Sequence, residues 1–168
     1  ARPSWRIHAL ASGVEVLRYF GPGNASDATG GTDLHRVSFQ QYAIEPSVVL
    51  PIGPVEVSVG PQFRYSSTRD GDGRAFTDVA PTLYGAGRFG QLGARTGVSW
   101  DTRDEATHPR RGSRLAAEVR VFSGLWDVAC PFATLTADAS TYRALSRDGS
   151  STLALRIRAQ QNWGTYPF

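Results

Sequence analysis

Carboxylate and guanidinium side chains crowd one short segment of the sequence. Asp101, Arg103 and Asp104 lie within four positions of one another, and Pro109 and Gly112 follow them closely. Side chains of these types can bind a cation, transfer protons, contact a charged partner or cap a turn. Pro and Gly form turns, and Asp accepts hydrogen bonds from the backbone of its own turn. We therefore interpret this group as turn capping and ion pairing that fix the register of a hairpin, with a binding contact as the functional alternative.

Histidine and nucleophilic residues show no catalytic arrangement. His8, His35 and His108 lie in three different segments, and no Ser, Cys or carboxylate stands at a recurring catalytic spacing from them. We therefore interpret each histidine as solvated or interfacial. We predict no enzymatic activity, no catalytic or metal-ligating residues and no cofactor for this chain.

Two glycine-containing loops could bind an ion or a phosphate group. Asp70-Gly71-Asp72-Gly73, with Asp78 beyond, has carboxylates like those of a calcium loop, but it lacks the third ligand and the bidentate Glu of a helix–loop–helix site. Gly21-Pro22-Gly23 follows a predicted strand, but no Lys and no helical pattern come after it, as a phosphate loop requires. We predict polar surface loops at both places, with calcium binding at Asp70 and Asp72 as the alternative.

The composition excludes several classes of protein. All 18 basic residues are arginines, the net charge is +3, and the arginines are scattered along the chain, so we predict no nucleic-acid partner. No apolar run approaches the roughly 20 residues of a transmembrane helix, whereas a membrane β-strand needs only about 10 residues of alternation. The chain has no Met and no apolar leader pattern. We therefore expect residues 1–168 to be one barrel segment that is truncated at both ends.

The spacing of apolar residues predicts the elements that carry these side chains. On either side of the Asp101 turn, Val98 and Trp100, and then Leu115 and Ala117, alternate with polar residues, which is the pattern of a half-apolar strand pair. The same alternation recurs along the chain between runs of turn residues. We predict an all-β fold, an antiparallel up-and-down meander of about eight strands, over residues 5–11, 14–20, 34–50, 55–66, the pair within 94–122, 132–145 and 151–163.

The predicted connections differ in length in a regular way. Residues 21–33 and 67–89 are long polar loops, whereas Ser12-Gly13, residues 51–54 and residues 147–150 are tight turns. In a meander, alternate connections lie at the same end, so the long loops share one end and the tight turns share the other. Outer-membrane barrels have this asymmetry, with short periplasmic turns and long extracellular loops. Pro46, inside the third run, predicts a bulge or bend.

Long charged side chains in the middle of the strands constrain which face meets lipid. A charge facing lipid at mid-depth costs about 2–4 kcal/mol, so in a transmembrane barrel such residues face the lumen. A soluble barrel reverses the geometry, and alternation alone does not separate the two. The apolar face is rich in small Ala, Val and Thr, which favours the membrane barrel because a close-packed core needs bulkier side chains. The predicted lumen-facing charges are Arg95, Arg114, Glu118, Arg120, Arg156 and Arg158.

Aromatic residues near the predicted strand ends suit an interfacial girdle, with packing over turns as the alternative. This set comprises Tyr19, Phe20, Tyr65, Trp100, Phe122 and Trp163.

The segment WDTRDEATHPRRGSRLAAEVRVF resembles the bacterial surface-antigen superfamily of outer-membrane assembly factors, of the BamA and TamA type. The resemblance rests on the Asp-rich turn, then Pro109, Gly112 and Ser113, then an alternating strand. A strand over residues 136–142, a hairpin, a strand with Arg156 and Arg158, and a final Tyr-Pro-Phe follow in the same order as in that superfamily. The likeness is good over residues 92–168 and weaker before them.

The resemblance implies part of a barrel of about sixteen strands in the bacterial outer membrane, usually preceded by POTRA repeats. Such proteins insert outer-membrane proteins or translocate polypeptides, without nucleotide or cofactor. It implies contact with the lipid bilayer, with unfolded outer-membrane client proteins and with periplasmic or lipoprotein partners. The alternation of connection lengths along the meander places the Asp101 turn at the end of the tight turns, so we predict it to be periplasmic. The family's Arg-Gly-Phe/Tyr loop is missing, and no POTRA pattern precedes Trp5. The alternatives are a small porin-like barrel and a soluble ligand-binding barrel.

Overall fold

Seven antiparallel strands make up the protein in a computed structural model, which describes residues 2–18, 36–70, 83–146 and 150–167. Within these ranges there is no helix, and hence none long and apolar enough to cross a membrane. The strands are β1 (Ser4–Arg18), β2 (Arg36–Ile52), β3 (Val55–Asp70), β4 (Arg88–Asp101), β5 (Gly112–Trp126), β6 (Phe132–Ala144) and β7 (Thr152–Gly164).

The strands follow one another in a single sheet in the order of the sequence, β1 to β7, and each pairs antiparallel with the next. The predicted all-β, up-and-down meander is therefore confirmed. The sheet is open, because β1 and β7 each have one neighbour and do not pair with each other in the described part of the chain.

The number of strands differs from the prediction at Ser12 and Gly13. Instead of a turn between two strands, these residues lie inside the 15-residue strand β1. Ser12 pairs with Gln41 and Glu15 pairs with Phe39, so β1 advances three residues while β2 advances two. One extra residue in an antiparallel pair is a β-bulge. The bulge interrupts the alternation just as a turn does, which is why the sequence pattern predicts one strand too many.

The connections are divided between the two ends of the sheet. The turn at Gly53 and Pro54, residues 102–111 and the ends of β6 and β7 that flank residues 145–151 lie at one end, which we name the short-turn end. The strand ends that flank residues 19–35 and 71–87 lie at the other end together with residues 127–131, and we name it the long-loop end. The Asp101 turn therefore lies at the short-turn end, as predicted. Residues 19–35, 71–82 and 147–149 lie outside the described residues, and with them the predicted phosphate loop, the calcium loop beyond Asp70 and most of the predicted turn over residues 147–150.

The two faces of the sheet differ in chemistry and in exposure. The register places Ile7, Ile44 and Ile157 on one face, which we name the apolar face, and Glu45 and Gln62 on the other, the polar face. Ile157 is 74% exposed and Ile7 is 71% exposed, whereas Glu45 is 3% exposed and Gln62 is fully buried. The polar face is therefore the sheltered, concave side of the sheet.

The β2–β3 ladder is interrupted where a proline lies in each strand. Pairing runs to Ile44 and Phe63 and resumes at Val48 and Val59, so residues 45–47 and 60–62 are not paired with each other. Pro46 and Pro61 have no backbone N–H to donate in this interval. The strands still approach closely, because a Cβ on Gly60 would lie 1.9 Å from the carbonyl oxygen of Pro46. The predicted irregularity at Pro46 is therefore present and involves β3 as well.

A small aromatic core lies on the polar face near the long-loop end. Phe122 is 2% exposed and stacks on Phe132, with ring centroids 4.6 Å apart. Phe89 and Val128 complete the cluster, and Tyr84 packs against its edge. The assignment of Phe122 to a girdle is therefore wrong: this ring shares the parity of the charged residues of β5 and points inward. Tyr19 and Phe20 lie outside the described residues.

Candidate functional site on the polar face

A buried carboxylate organises the charges of the first four strands. Glu45 on β2 accepts a hydrogen bond from Gln62 Nε2 at 2.6 Å and one from Arg95 NH1 at 2.8 Å. Arg64 NH2 lies 3.5 Å from the same carboxylate, and His8 Nδ1 lies 3.7 Å from it. The side chains of Glu45 and Arg95 are 4% and 12% exposed. Four strands are therefore tied together by one carboxylate.

The same network continues onto β5. Arg95 and Arg120 are direct partners in the β4–β5 register, and like charges placed opposite each other are unfavourable. Glu118 relieves this repulsion, because it lies 3.5 Å from Arg95 NH2 and accepts a hydrogen bond from Arg120 Nε at 2.5 Å. Two carboxylates, Glu45 and Glu118, thus flank the arginine pair.

A second group of charges spans β4 to β7 nearer the short-turn end. Asp138 on β6 accepts a hydrogen bond from Arg156, with Arg156 NH2 2.7 Å from the carboxylate. Arg114 on β5 lies between two carboxylates, 3.8 Å from Asp138 and 3.9 Å from Asp101. Arg158 lies opposite Asp138 in the register, without an ion pair within 4.0 Å among the described residues. Arg114 makes only long ion pairs, and the side chains of this group are more exposed to solvent than those around Glu45.

Both groups border one hollow of about 600 Å³ on the polar face. On the described strands this face carries more arginines than carboxylates, so the hollow is lined by net positive charge. Three buried polar atoms, Gln62 Oε1, Arg64 Nε and Arg95 Nε, have no partner in the described part of the chain. The arginines and carboxylates of the polar face whose side chains are described are Arg6, Arg64, Arg95, Arg114, Arg120, Arg156 and Arg158, with Glu45, Glu56, Asp101, Glu118 and Asp138.

The structure places all six predicted lumen-facing residues on the polar face. Arg95, Glu118 and Arg120 belong to the Glu45 network, Arg114 and Arg156 meet at Asp138, and Arg158 makes no ion pair. Sequence reasoning missed Glu45 and Gln62, two of the most buried polar residues of the site. The available signal was their polar character beside Pro46 and Pro61.

The Asp101 turn is ordered by its own side chains. Arg103 donates to Asp101 from its backbone N–H at 3.0 Å and from Nε and NH2 at 2.9 and 2.7 Å, and this bonding raises the pKa of the Arg103 guanidinium. Asp104 accepts the backbone N–H groups of Arg110, Arg111 and Glu105 at 3.0, 3.2 and 3.0 Å. These donors, the N–H of Arg110 first, hold the pKa of Asp104 below its usual value.

Gly112 closes this turn, whereas Pro109 makes no side-chain bond within it. Gly112 has a φ of +100°, and a Cβ there would lie 2.3 Å from the carbonyl oxygen of Thr102. Thr102 in turn exchanges backbone and side-chain hydrogen bonds with Ser113. The geometry is that of turn capping, and a binding contact at this turn stays a prediction.

Metal-ligating residues are not grouped in the described residues: no set of three or more His, Cys, Asp or Glu could hold an ion there. His8 lies beside Glu45, His108 is in the Asp101 turn, and His35 lies outside the described part of the chain.

An antiparallel meander with one exposed apolar face and one sheltered, charged face defines the class of outer-membrane-type β proteins. The comparison with known families agrees: the sequence matches the family model of the Omp85 superfamily domain over residues 21–165. The chain therefore belongs to the Omp85 superfamily, as its resemblance to assembly factors of the BamA and TamA type implies. Proteins of this superfamily are outer-membrane proteins that act in protein assembly or translocation. No curated protein and no solved structure gives a significant match.

Proposed function

We propose that this chain forms part of an outer-membrane β-barrel that inserts outer-membrane proteins or translocates polypeptides, with its apolar face toward lipid and its polar face toward the lumen. The observation that carries the proposal is the separation of charge between the faces. Among the described side chains of the strands themselves, the apolar face is charged only at Arg88, near the long-loop end, and at Arg143, near the short-turn end.

The height of the uncharged band suits a bilayer. On β4 this band runs from Gly90 to Trp100, eleven residues whose ends lie about 34 Å apart along a strand. A tilt of about 40° reduces this to roughly 26 Å, close to the apolar height of about 25 Å of membrane barrels. Trp5 and Trp100 lie toward the short-turn end, and Trp126 and Trp163 lie toward the long-loop end. Tryptophans at both rims support a girdle at each interface.

The exposure of the two faces favours this proposal over a soluble ligand-binding barrel. A soluble barrel shelters its apolar side chains, whereas here the large exposed apolar side chains, such as Ile7 and Ile157, lie on the outer side. A soluble barrel could bury these side chains only if the sheet curved in the opposite direction. Contact with lipid instead removes them from water.

The interior of the proposed barrel favours a gated conduit over a passive pore. Phe89, Phe122 and Phe132 occupy the polar face near the long-loop end and exclude water there. A porin-like channel needs a continuous polar path through the lumen. The hollow beside these rings is lined by arginines, which suits transient contacts with unfolded polypeptides rather than free diffusion of solutes.

We further propose that the chain has no catalytic activity and acts through non-covalent contacts alone. Its partners are then the lipid bilayer, unfolded outer-membrane client proteins and periplasmic or lipoprotein partners. The carboxylates that could act as acids or bases, such as Glu45 and Asp138, are engaged with arginines. The turn around Asp101 is then periplasmic and available to such partners.

The orientation of the faces is tested by two neighbouring substitutions on β6. Ala137 lies on the apolar face and Thr136, beside Glu118, lies on the polar face. We expect Ala137→Arg to destabilise the protein folded in phospholipid vesicles by about 2–4 kcal/mol, and Thr136→Arg by less than about 1 kcal/mol. Equal effects of the two substitutions on the urea midpoint would contradict the proposed orientation.

The activity is tested separately with the complete gene product in phospholipid vesicles. An outer-membrane protein unfolded in urea is added, and its folding is followed by gel mobility without boiling. We expect folding to be faster than in empty vesicles. A steady conductance to small solutes with no acceleration of folding would identify a passive pore instead.

A further inference from the structure

The apolar face contains a depression of about 310 Å³ between β4 and β7. It lies across two rows of the register. One row has small residues, Ala117, Ala137 and Ala159, and the next has Trp100 and Ile157 at its two sides. The small side chains form the floor, and the large ones form the rim. The depression is therefore a shallow apolar groove in the surface that the proposed function turns toward lipid.

The chemistry of this face changes in steps from the depression toward the short-turn end. The next row is polar, and Ser113 Oγ donates to Thr141 Oγ1 at 2.9 Å. Beyond it, Arg143 follows on the apolar face of β6. Arg111 precedes Gly112, the register partner of Tyr142, so the backbones of Arg111 and Arg143 are neighbours. Rows on one face are about 7 Å apart along a strand, so the three layers span about 14 Å.

Both arginine side chains are free to bind a ligand. Arg111 and Arg143 are exposed, and neither guanidinium has a hydrogen bond or ion pair among the residues that the structure describes. The backbone of Arg111 is fixed by two hydrogen bonds with Asp104. The Arg111 N–H donates to the Asp104 carboxylate, and the Arg111 carbonyl accepts from the Asp104 N–H. The corresponding end of β2 and β3 has only Leu50, Ile52 and apolar neighbours on this face. The cationic layer is thus local to β5 and β6.

We propose that this surface binds one anionic glycerophospholipid of the leaflet at the short-turn end. An acyl chain lies in the depression, the ester region meets the Ser113–Thr141 hydroxyls, and the phosphate is bound by Arg111 and Arg143. The order apolar, hydroxyl, cation matches the order acyl chain, ester, phosphate at the required spacing. Guanidinium groups bind phosphate through paired hydrogen bonds. The proposal rests on the proposed function, because the apolar face must first face lipid.

The experiment uses the protein in nanodiscs made of equal parts phosphatidylglycerol and phosphatidylcholine, with native mass spectrometry of the retained lipids. We expect one phosphatidylglycerol to be retained in preference to phosphatidylcholine by roughly 25-fold, about fivefold from each arginine near the membrane surface. The variant Arg111→Gln/Arg143→Gln should retain the two lipids equally. Arg88→Gln, which removes the arginine near the opposite rim, should keep the preference and serves as the matched control.

A second variant separates the acyl site from the charges. Ala137→Leu fills the floor of the depression with an apolar side chain, and we expect the retained lipid to be lost although both arginines remain. An unchanged phosphatidylglycerol preference in the double-arginine variant would overturn the proposal. Finding lipid A or a partner protein, instead of a phospholipid, bound to the protein extracted from native membranes would also overturn it. If the proposed orientation toward lipid fails, the protein does not enter the nanodisc at all. If only the lipid site fails, the protein enters but shows no preference.

Discussion

Glu45 offers the sharpest test of how the polar face is held together. The substitution Glu45→Gln keeps the size of the side chain and an oxygen that can accept from Gln62, but it removes the negative charge. Arg95 and Arg64, whose side chains are 12% and 20% exposed, then lose the carboxylate that lies 2.8 and 3.5 Å away. Two sheltered guanidinium groups are left with little water and less counter-charge.

The size of the effect follows from this burial. Removing one partner of a buried ion pair costs about 3–5 kcal/mol, because the remaining charge is left uncompensated. Glu118 still lies 3.5 Å from Arg95, so we place the cost at the low end, about 3 kcal/mol. The matched control is Glu56→Gln on the neighbouring strand. Its pair with Arg6 is 3.0 Å long but 38% and 55% exposed, and such a pair is worth less than about 1 kcal/mol.

The assay is reversible urea unfolding of the protein folded in phospholipid vesicles. With a slope of about 2 kcal/mol per molar urea, the midpoint should fall by about 1.5 M for Glu45→Gln and by less than about 0.5 M for Glu56→Gln. The slope itself should not change, because the surface exposed on unfolding is the same. Both substitutions replace Glu by Gln on the polar face, so the difference between their urea midpoints reports the effect of burial.

Two results would refute the reasoning. Equal midpoints for Glu45→Gln and Glu56→Gln would mean that the Glu45 network is solvated like a surface pair. The double variant Glu45→Gln/Arg95→Gln gives the second test, since it removes both charges. It should be at least 1 kcal/mol more stable than the sum of the single effects predicts. Simple additivity would show that the two residues do not act on each other.

Three further perturbations test other parts of the fold. The lowered pKa of Asp104 means that its bonds to the turn are complete above about pH 4 and are lost as the pH falls through that lowered pKa; Asp104→Asn should abolish this pH dependence in the amide exchange of the turn. Gly60→Ala should prevent folding, because its Cβ would meet the Pro46 carbonyl, whereas Gly13→Ala, with nothing closer than 3.9 Å, should fold normally in gel mobility assays. Phe122→Ala should cost about 3 kcal/mol in urea unfolding and raise the conductance of reconstituted protein; unchanged conductance would show that these rings do not block the lumen.

Alternation predicted the larger part of the fold because one face of a strand differs from the other at every second residue. The pair formed by β4 and β5 follows from Val98, Trp100, Leu115 and Ala117 alone, and the structure pairs Trp100 with Leu115. The division of loops between two ends also follows from the sequence, since a meander fixes it once the connections are known.

The Glu45 network could not be predicted, because its members are joined only by the register of several strands. Glu45 and Gln62 are 17 residues apart, and Glu45 and Arg95 are 50 residues apart. A shift of any strand by two residues would keep every parity and yet separate these side chains. Alternation therefore predicts the face of a charge but not its partner.

Ser12, Gly13 and Phe122 show two different kinds of failure. A Ser-Gly pair suits both a turn and a bulge, and only the neighbouring strand β2 decides between them. Phe122 could have been placed correctly, because it has the same parity as Arg114, Glu118 and Arg120. Its position near a strand end suggests a girdle, whereas its parity places it on the polar face, and parity is the stronger constraint in a sheet.

Curvature, rather than alternation, carries the argument for a membrane environment. An alternating sheet has the same sequence pattern whether its apolar side faces inward or outward. The side that is sheltered then decides, and here it holds Glu45 and Gln62 while Ile157 lies outside. In water this arrangement would leave the apolar side chains exposed, so they would not drive folding, and it would desolvate the charges, which opposes folding. In a bilayer around a wet lumen, lipid removes the apolar side chains from water, and the ion pairs around Glu45 offset the desolvation of the charges. We therefore expect the sheet to be stable only where lipid covers its outer face.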